Sequence, residues 1–240
     1  MSIDVCPLYM TRTRLLFVAI LLNIFFFSSD VIAQTSQNWE QLNKKAISLY
    51  KEGNLNEAIV VFENAKDMAK LEFGDASPNY TTALKNLAFL YKYMGNYHKA
   101  EALYLEVLEI IAKDIGKENP DYATSLNDLA VLYASIRNYY KAEPIYLEAL
   151  RVRAKVLGKE NPEYATSLNN LAVLYASMGN YHKAEPIYIE ALEVRAKVLG
   201  KEHQDYASTL NNLAVLYKSM GNYPKAEPLY LEALWKFRLK

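Results

Sequence analysis

From Trp39 onward, apolar side chains recur three and four residues apart, the period of an α-helix with one buried face. Leu42, Ala46, Leu49 and Tyr50 form the first such stripe, with Asn38 a predicted N-cap. Gly53-Asn54 interrupts it, and a second stripe runs through Ala58, Phe62, Ala65, Met68, Ala69 and Phe73 to Gly74. The same alternation of stripe and break then recurs. Leu126, Leu129, Ala130 and Tyr133 mark one helix. After a turn at Ile136-Arg137-Asn138, Tyr139, Ala142, Tyr146, Ala149 and Leu150 mark the next, which continues through Val152 and Val156-Leu157. A period of two never persists beyond a few residues, so no strand is predicted.

The helices come in repeating pairs. Ser167–Gly200 matches Ser125–Gly158 at 28 of 34 positions, 42 residues apart, and residues 83–116 and 209–234 repeat the unit more loosely. Gly53, Ala58, Phe62 and Pro78 lie 42 residues before Gly95, Ala100, Tyr104 and Pro120, which brings the first pair into register. A period of this size marks a stacked array in which each unit covers its neighbour's apolar face. The prediction is all-α: one solenoid of about five antiparallel helix pairs, with units near 38–78, 79–120, 121–162, 163–204 and 205–240, the last one truncated. Gly116, Gly158 and Gly200 are expected to end the second (B) helix of a unit at positive φ. Asn119-Pro120 and Asn161-Pro162 restart the first (A) helix. Ala130, Ala142 and Ala149 mark close helix approaches.

Three departures from the repeat carry expectations. Arg137 replaces the turn glycine of Gly95, Gly179 and Gly221, and a left-handed backbone there costs a non-glycine residue roughly 1 kcal/mol. His203-Gln204 replaces Asn-Pro, which is expected to weaken the start of the last A helix. Pro144, Pro186 and Pro228 fall about six residues into their B helices, where a missing N–H predicts a slight bend.

The N-terminus has a different character. Arg12 and Arg14 precede the apolar run Leu15–Phe27, and Val31-Ile32-Ala33 follows, the order of a secretory signal peptide over residues 1–33. An uncleaved membrane anchor is the alternative, although the run is shorter than the ~20 residues a span requires. Met10 would begin a tidier signal than Met1. Cleavage after Ala33 would remove Cys6, the only cysteine, and leave a periplasmic or secreted chain without disulfides. The remaining 25 basic and 25 acidic residues argue against general nucleic-acid binding, which needs a basic excess.

Catalytic chemistry is not predicted. His98, His182 and His203 read as solvated, no cysteine remains to help them hold a metal, and no cofactor is implied. Ser125 and Ser167 have no nearby histidine base, and no glycine-rich phosphate loop is present. Glu143, Glu185 and Glu227, beside Lys141, Lys183 and Lys225, read as solvated charges in the first turn of the B helices. The 20 tyrosines read as half-buried packing residues with surface hydroxyls.

Leu171-Ala172, Tyr175, Gly179, Tyr181, Ala184, Tyr188 and Ala191 have the spacing of the tetratricopeptide repeat. The 42-residue unit with Ser-Leu-Asn-Asn-Leu-Ala and Lys-Ala-Glu-Pro resembles the kinesin light chain type, over residues 38–234. The resemblance implies a right-handed superhelix whose A helices line a concave, peptide-binding groove. The candidate site there is an asparagine ladder, Asn86, Asn127, Asn169, Asn170, Asn211 and Asn212, with Val131, Val173 and Val215 and the flanking Lys85, Lys92 and Lys218. An amide both donates and accepts, which suits an extended peptide backbone. The alternative is that these amides bridge adjacent helices or face water. The favoured function is a non-enzymatic scaffold for a protein or peptide partner. Similar bacterial arrays precede CHAT-type caspase-like protease domains, so the regulatory half of a larger effector is the second reading. Self-association through the C-terminal end, around Trp235, is the third.

Overall fold

In the computed structural model, residues 38–238 are described, with side chains as far as Trp235. The signal-peptide assignment therefore lies outside the described residues. Among the described residues ten helices follow one another: α1 (Trp39–Lys51), α2 (Leu55–Phe73), α3 (Pro78–Tyr93), α4 (Tyr97–Asp114), α5 (Pro120–Ser135), α6 (Tyr139–Val156), α7 (Pro162–Ser177), α8 (Tyr181–Val198), α9 (Gln204–Ser219) and α10 (Tyr223–Arg238). Odd-numbered helices are the A helices, even-numbered ones the B helices. Each packs chiefly on its neighbours in the chain. Pro78, Pro120 and Pro162 open their helices, which shifts the predicted unit boundaries by about a residue.

Small side chains permit the stacking. Ala46, Ala88, Ala130, Ala172 and Ala214, one per A helix, are all completely buried. Ala142, Ala149, Ala184 and Ala191 do the same on the B helices. Leu87, Leu129, Leu171 and Leu213 fill the space between helices, together with Leu90, Leu132, Leu174 and Leu216. A third leucine on that arc widens the predicted stripe.

Helix ends follow the sequence closely. Asn119 and Asn161 accept hydrogen bonds from the amides of Asp121 (2.7 Å) and Glu163 (2.8 Å). His203 takes the same role, its Nδ1 accepting from the amide of Asp205 at 3.1 Å. The expected weak start of α9 is thus capped by an imidazole. Arg137 has φ 58°, the left-handed conformation that Gly95, Gly179 and Gly221 adopt in the other turns. Pro144, Pro186 and Pro228 lie inside helices that run on through them. Each is exposed, so water can reach the carbonyl left without an N–H partner.

The stack has distinguishable inner and outer sides. The A helices α5, α7 and α9 touch in sequence, whereas consecutive B helices make no comparable contact among the described residues. Elements on the inner radius of a curved stack lie closest together, and the contacts of α5, α7 and α9 are those expected of helices on the concave side. Among the described residues no helix is long and apolar enough to cross a membrane.

Candidate functional site

Five of the six ladder asparagines form amide pairs where consecutive A helices meet, Asn86 with Asn43 outside the predicted ladder; Asn211 is in none of these pairs. Asn86 Nδ2 donates to Asn43 Oδ1 at 2.9 Å, Asn170 Nδ2 to Asn127 Oδ1 at 2.9 Å, and Asn212 Nδ2 to Asn169 Oδ1 at 3.1 Å. Each partner lies 43 residues back, one unit plus one residue, because the second amide of one unit faces the first of the unit before. Asn127 is buried, Asn86, Asn169, Asn170 and Asn212 are half-buried, and Asn211 is exposed. The bridging alternative thus describes the amide pairs. A single bond still leaves each pair with further N–H hydrogens and carbonyl lone pairs to offer.

The joint between α3 and α5 departs from this pattern. Lys85 and Asp128 occupy the two ladder positions there. Burial pushes the Asp128 carboxyl above the usual range, while Lys85, Lys92 and Arg153 pull it back toward ionisation. Burial in turn depresses the Lys92 ammonium, against the attraction of Asp128.

Beside the ladder, α3, α5, α7 and α9 each present one apolar side chain at the same register, and half-buried Ile47 holds it on α1. Phe89 (42 % exposed), Val173 (40 %) and Val215 (46 %) stand out toward solvent, and Val131 is half-buried between them. At the N-terminal end this row widens into an aromatic cluster. Tyr50 meets Phe89 and Tyr93 edge-on, each at 5.6 Å between ring centres, and the Lys92 ammonium lies 5.3 Å from the Phe89 ring. Lys218 is exposed at the other end. His98 and His182 are exposed as well, on the B helices α4 and α8.

Two recurrent structural devices were not apparent as such from the sequence. Arg153 and Arg195, which the sequence pattern did not single out, are 2 % and 4 % exposed. Arg153 reaches from α6 across the joint of α5 and α7, donating to Thr124 Oγ1 (3.1 Å), the Glu163 carbonyl (3.0 Å) and Ser167 Oγ (2.7 Å). Arg195 repeats this from α8, with Thr166, the Asp205 carbonyl and Thr209. The signal was available: in the second unit the same position is Ile111, a buried apolar residue.

The second device corrects the glutamates. Glu143 and Glu185 do not simply face water; each accepts from a tyrosine of the next unit, Tyr175 (2.8 Å) and Tyr217 (2.6 Å). A lysine closes each clasp, with Lys183 4.9 Å from the Tyr175 ring and Lys225 4.7 Å from the Tyr217 ring. Burial and the glutamate push Tyr175 and Tyr217 up to about 12. The clasps lie at unit joints, so these carboxylates hold the stack together and are not an acid/base pair. Among the described residues no histidine, cysteine or carboxylate cluster is arranged to hold a metal.

Comparison with known proteins agrees with this architecture. Residues 40–113, 81–155, 121–188 and 163–234 each match the model of the Tetratricopeptide repeat. BtubC (BKLC) from P. vanneervenii is 30% identical over 83% of this chain and 80% of its own, with a TM-score of 0.72. The nearly identical TPR-like repeats of a Podosopora anserina protein designated a kinesin light chain align at 23% identity, covering 82% of this chain and 93% of theirs, TM-score 0.68. A Rap protein complexed with Competence and Sporulation Factor shares the fold at 16% identity and TM-score 0.70, over 86% of this chain and 57% of its own. No curated protein sequence matches. Its structural neighbours are kinesin light chain-like repeat proteins, and the chain belongs to the tetratricopeptide repeat family.

Proposed function

We propose that the chain is a non-enzymatic scaffold that holds an extended peptide or protein segment along its concave face. The observation that carries this reading is the row Phe89, Val131, Val173 and Val215, one apolar side chain on each of α3, α5, α7 and α9 at the same register. A protein interior would bury such residues, whereas here three of the four remain exposed on the inner side. An extended segment with apolar side chains at intervals would cover them, while its backbone meets the half-exposed amides of Asn169, Asn170, Asn211 and Asn212. Lys92 and Lys218 supply a cation near each end of the row. The Rap protein seen with Competence and Sporulation Factor is a precedent for a partner on this fold.

The array would work outside the cytoplasm, once residues 1–33 had directed export and been removed. A mature N-terminus at Gln34, read by mass spectrometry from the native organism, would support export; an intact N-terminus on a membrane-bound chain would support an anchor instead. The groove is tested by selecting peptides from a displayed library on the wild-type protein and then measuring their affinity for a Val173→Asp variant. The exposed site tolerates the change, so the fold should persist while affinity falls by tenfold or more. Unchanged affinity would remove the row from the account.

A further inference from the structure

The chain fills the joint between consecutive A helices with its own guanidinium in two places and not in a third. Arg153 does so between α5 and α7, and Arg195 between α7 and α9. Between α3 and α5 the acceptors recur in register: Thr82 stands where Thr124 does, Asp121 where Glu163 does, and Ser125 where Ser167 does. The donor does not recur, since residue 111 is isoleucine. An open cavity of about 210 Å³ lies at this joint, with Thr82 of α3, Asp121 of α5, Ile111, Asp114 and Lys85 in its wall and Ser125 buried outside it.

The charge around it suits a cation. Asp114 and Asp121 line the cavity, and the one lysine in the wall, Lys85, has its charge opposed by the nearby Asp128. A guanidinium is planar and offers five N–H donors, matching acceptors spread over two helices, whereas an ammonium is a point donor.

We propose that this cavity is a subsite for an arginine side chain supplied by the bound segment. The origin of the arginine rests on the groove reading; the cavity's selectivity for a guanidinium does not. In this joint a partner supplies what Arg153 and Arg195 supply within the chain elsewhere. Binding at this one joint would also fix the register of a segment lying on an otherwise repetitive surface.

The test uses the full array, with Nα-acetyl-arginine amide as probe and methyl NMR signals of Ile111 and Thr82 as readout. The expected result is a saturable shift of both signals. The lysine analogue should bind roughly tenfold more weakly, and the glutamate analogue should not bind. Ile111→Arg, which places the chain's own guanidinium in the cavity, should abolish the arginine response. Should that variant not fold, Thr82→Val decides: a several-fold loss supports the subsite, and unchanged binding overturns it. No saturable shift at Ile111, or an equal response to the glutamate probe, overturns it as well. Val173→Asp should leave the arginine probe unaffected, so failure of the groove and failure of the subsite are separable.

Discussion

Replacing Arg153 tests whether a buried guanidinium holds neighbouring units together. It makes three hydrogen bonds, to Thr124 Oγ1, the Glu163 carbonyl and Ser167 Oγ, and an ion pair with the Glu163 carboxylate at 3.0 Å. Hydrogen bonds from a charged donor are each worth about 1.5–3 kcal/mol, but removing the cation from water costs several kcal/mol and offsets much of that. Glu163 is 57 % exposed, so its carboxylate regains water once the arginine is gone. The Thr124, Ser167 and carbonyl acceptors are more enclosed and regain less. Arg153→Ala should therefore cost about 2–4 kcal/mol, part of it from the cavity left by the side chain. Arg153→Ile, which imitates the joint containing Ile111, should cost about 1–2 kcal/mol, because packing survives and only polar satisfaction is lost. Arg153→Lys should not restore the wild-type value, since one ammonium cannot serve acceptors on α5 and α7 together. Stability from urea titration gives the size of each effect. Amide hydrogen exchange gives its place: faster exchange in α5 to α7, with α1 to α3 little changed, because units in an array interact mainly with their neighbours. A lysine variant as stable as wild type, or an alanine variant costing less than about 0.5 kcal/mol, would refute the argument.

Other substitutions probe separate parts of the stack. Arg137→Gly relieves a left-handed backbone worth about 1–2 kcal/mol and adds about 0.5–1 kcal/mol of unfolded-state entropy, so a net gain of up to about 1.5 kcal/mol is expected. Differential scanning calorimetry should show a rise of a few degrees; an unchanged or lower Tm would contradict the expectation. The clasp tyrosines make the fold sensitive to alkali. Tyr175 and Tyr217 are pushed up to about 12 in the fold from near 10 when unfolded, so the stability they add is complete below pH 10 and is lost as pH rises toward 12. Tyr175→Phe should reduce the steepness of that alkaline loss, as followed by circular dichroism. Asp128 works in the acid range with a related sign. Its raised folded pKa means that protonation favours the fold, so stability from this group is complete below about pH 4 and falls as pH rises through the folded value. Asp128→Asn should flatten the stability profile over that interval, and an unaltered profile would show that Asp128 is not desolvated.

Much of the fold was legible because the repeat states each rule several times. Glycine at Gly95, Gly179 and Gly221 identified a left-handed turn, so Arg137 could be recognised as an exception before its φ of 58° was known. Alanine at Ala130, Ala142 and Ala149 located the close approaches in the same way. What escaped is chemistry that depends on the partner unit. Glu143 and Lys183 look like exposed charges within their own helix, and only stacking brings Tyr175 onto the carboxylate. Arg153 was hidden by its type: arginine usually lies at the surface, and only the comparison with Ile111 reveals a core position. The asparagine ladder was legible as a row, but not its 43-residue offset, which turns the row into a set of bridges.

The central claim is that a partner segment lies on the A-helix side of the array, over the apolar row. The most direct measurement is site-specific photo-crosslinking, with a photoreactive amino acid at Val173 on α7 or, for comparison, at the equally exposed Ile189 on α8. The account predicts a covalent adduct with a library-selected peptide from position 173 and none from position 189. Adducts from 189 alone would place the partner on the outer helices and contradict the account.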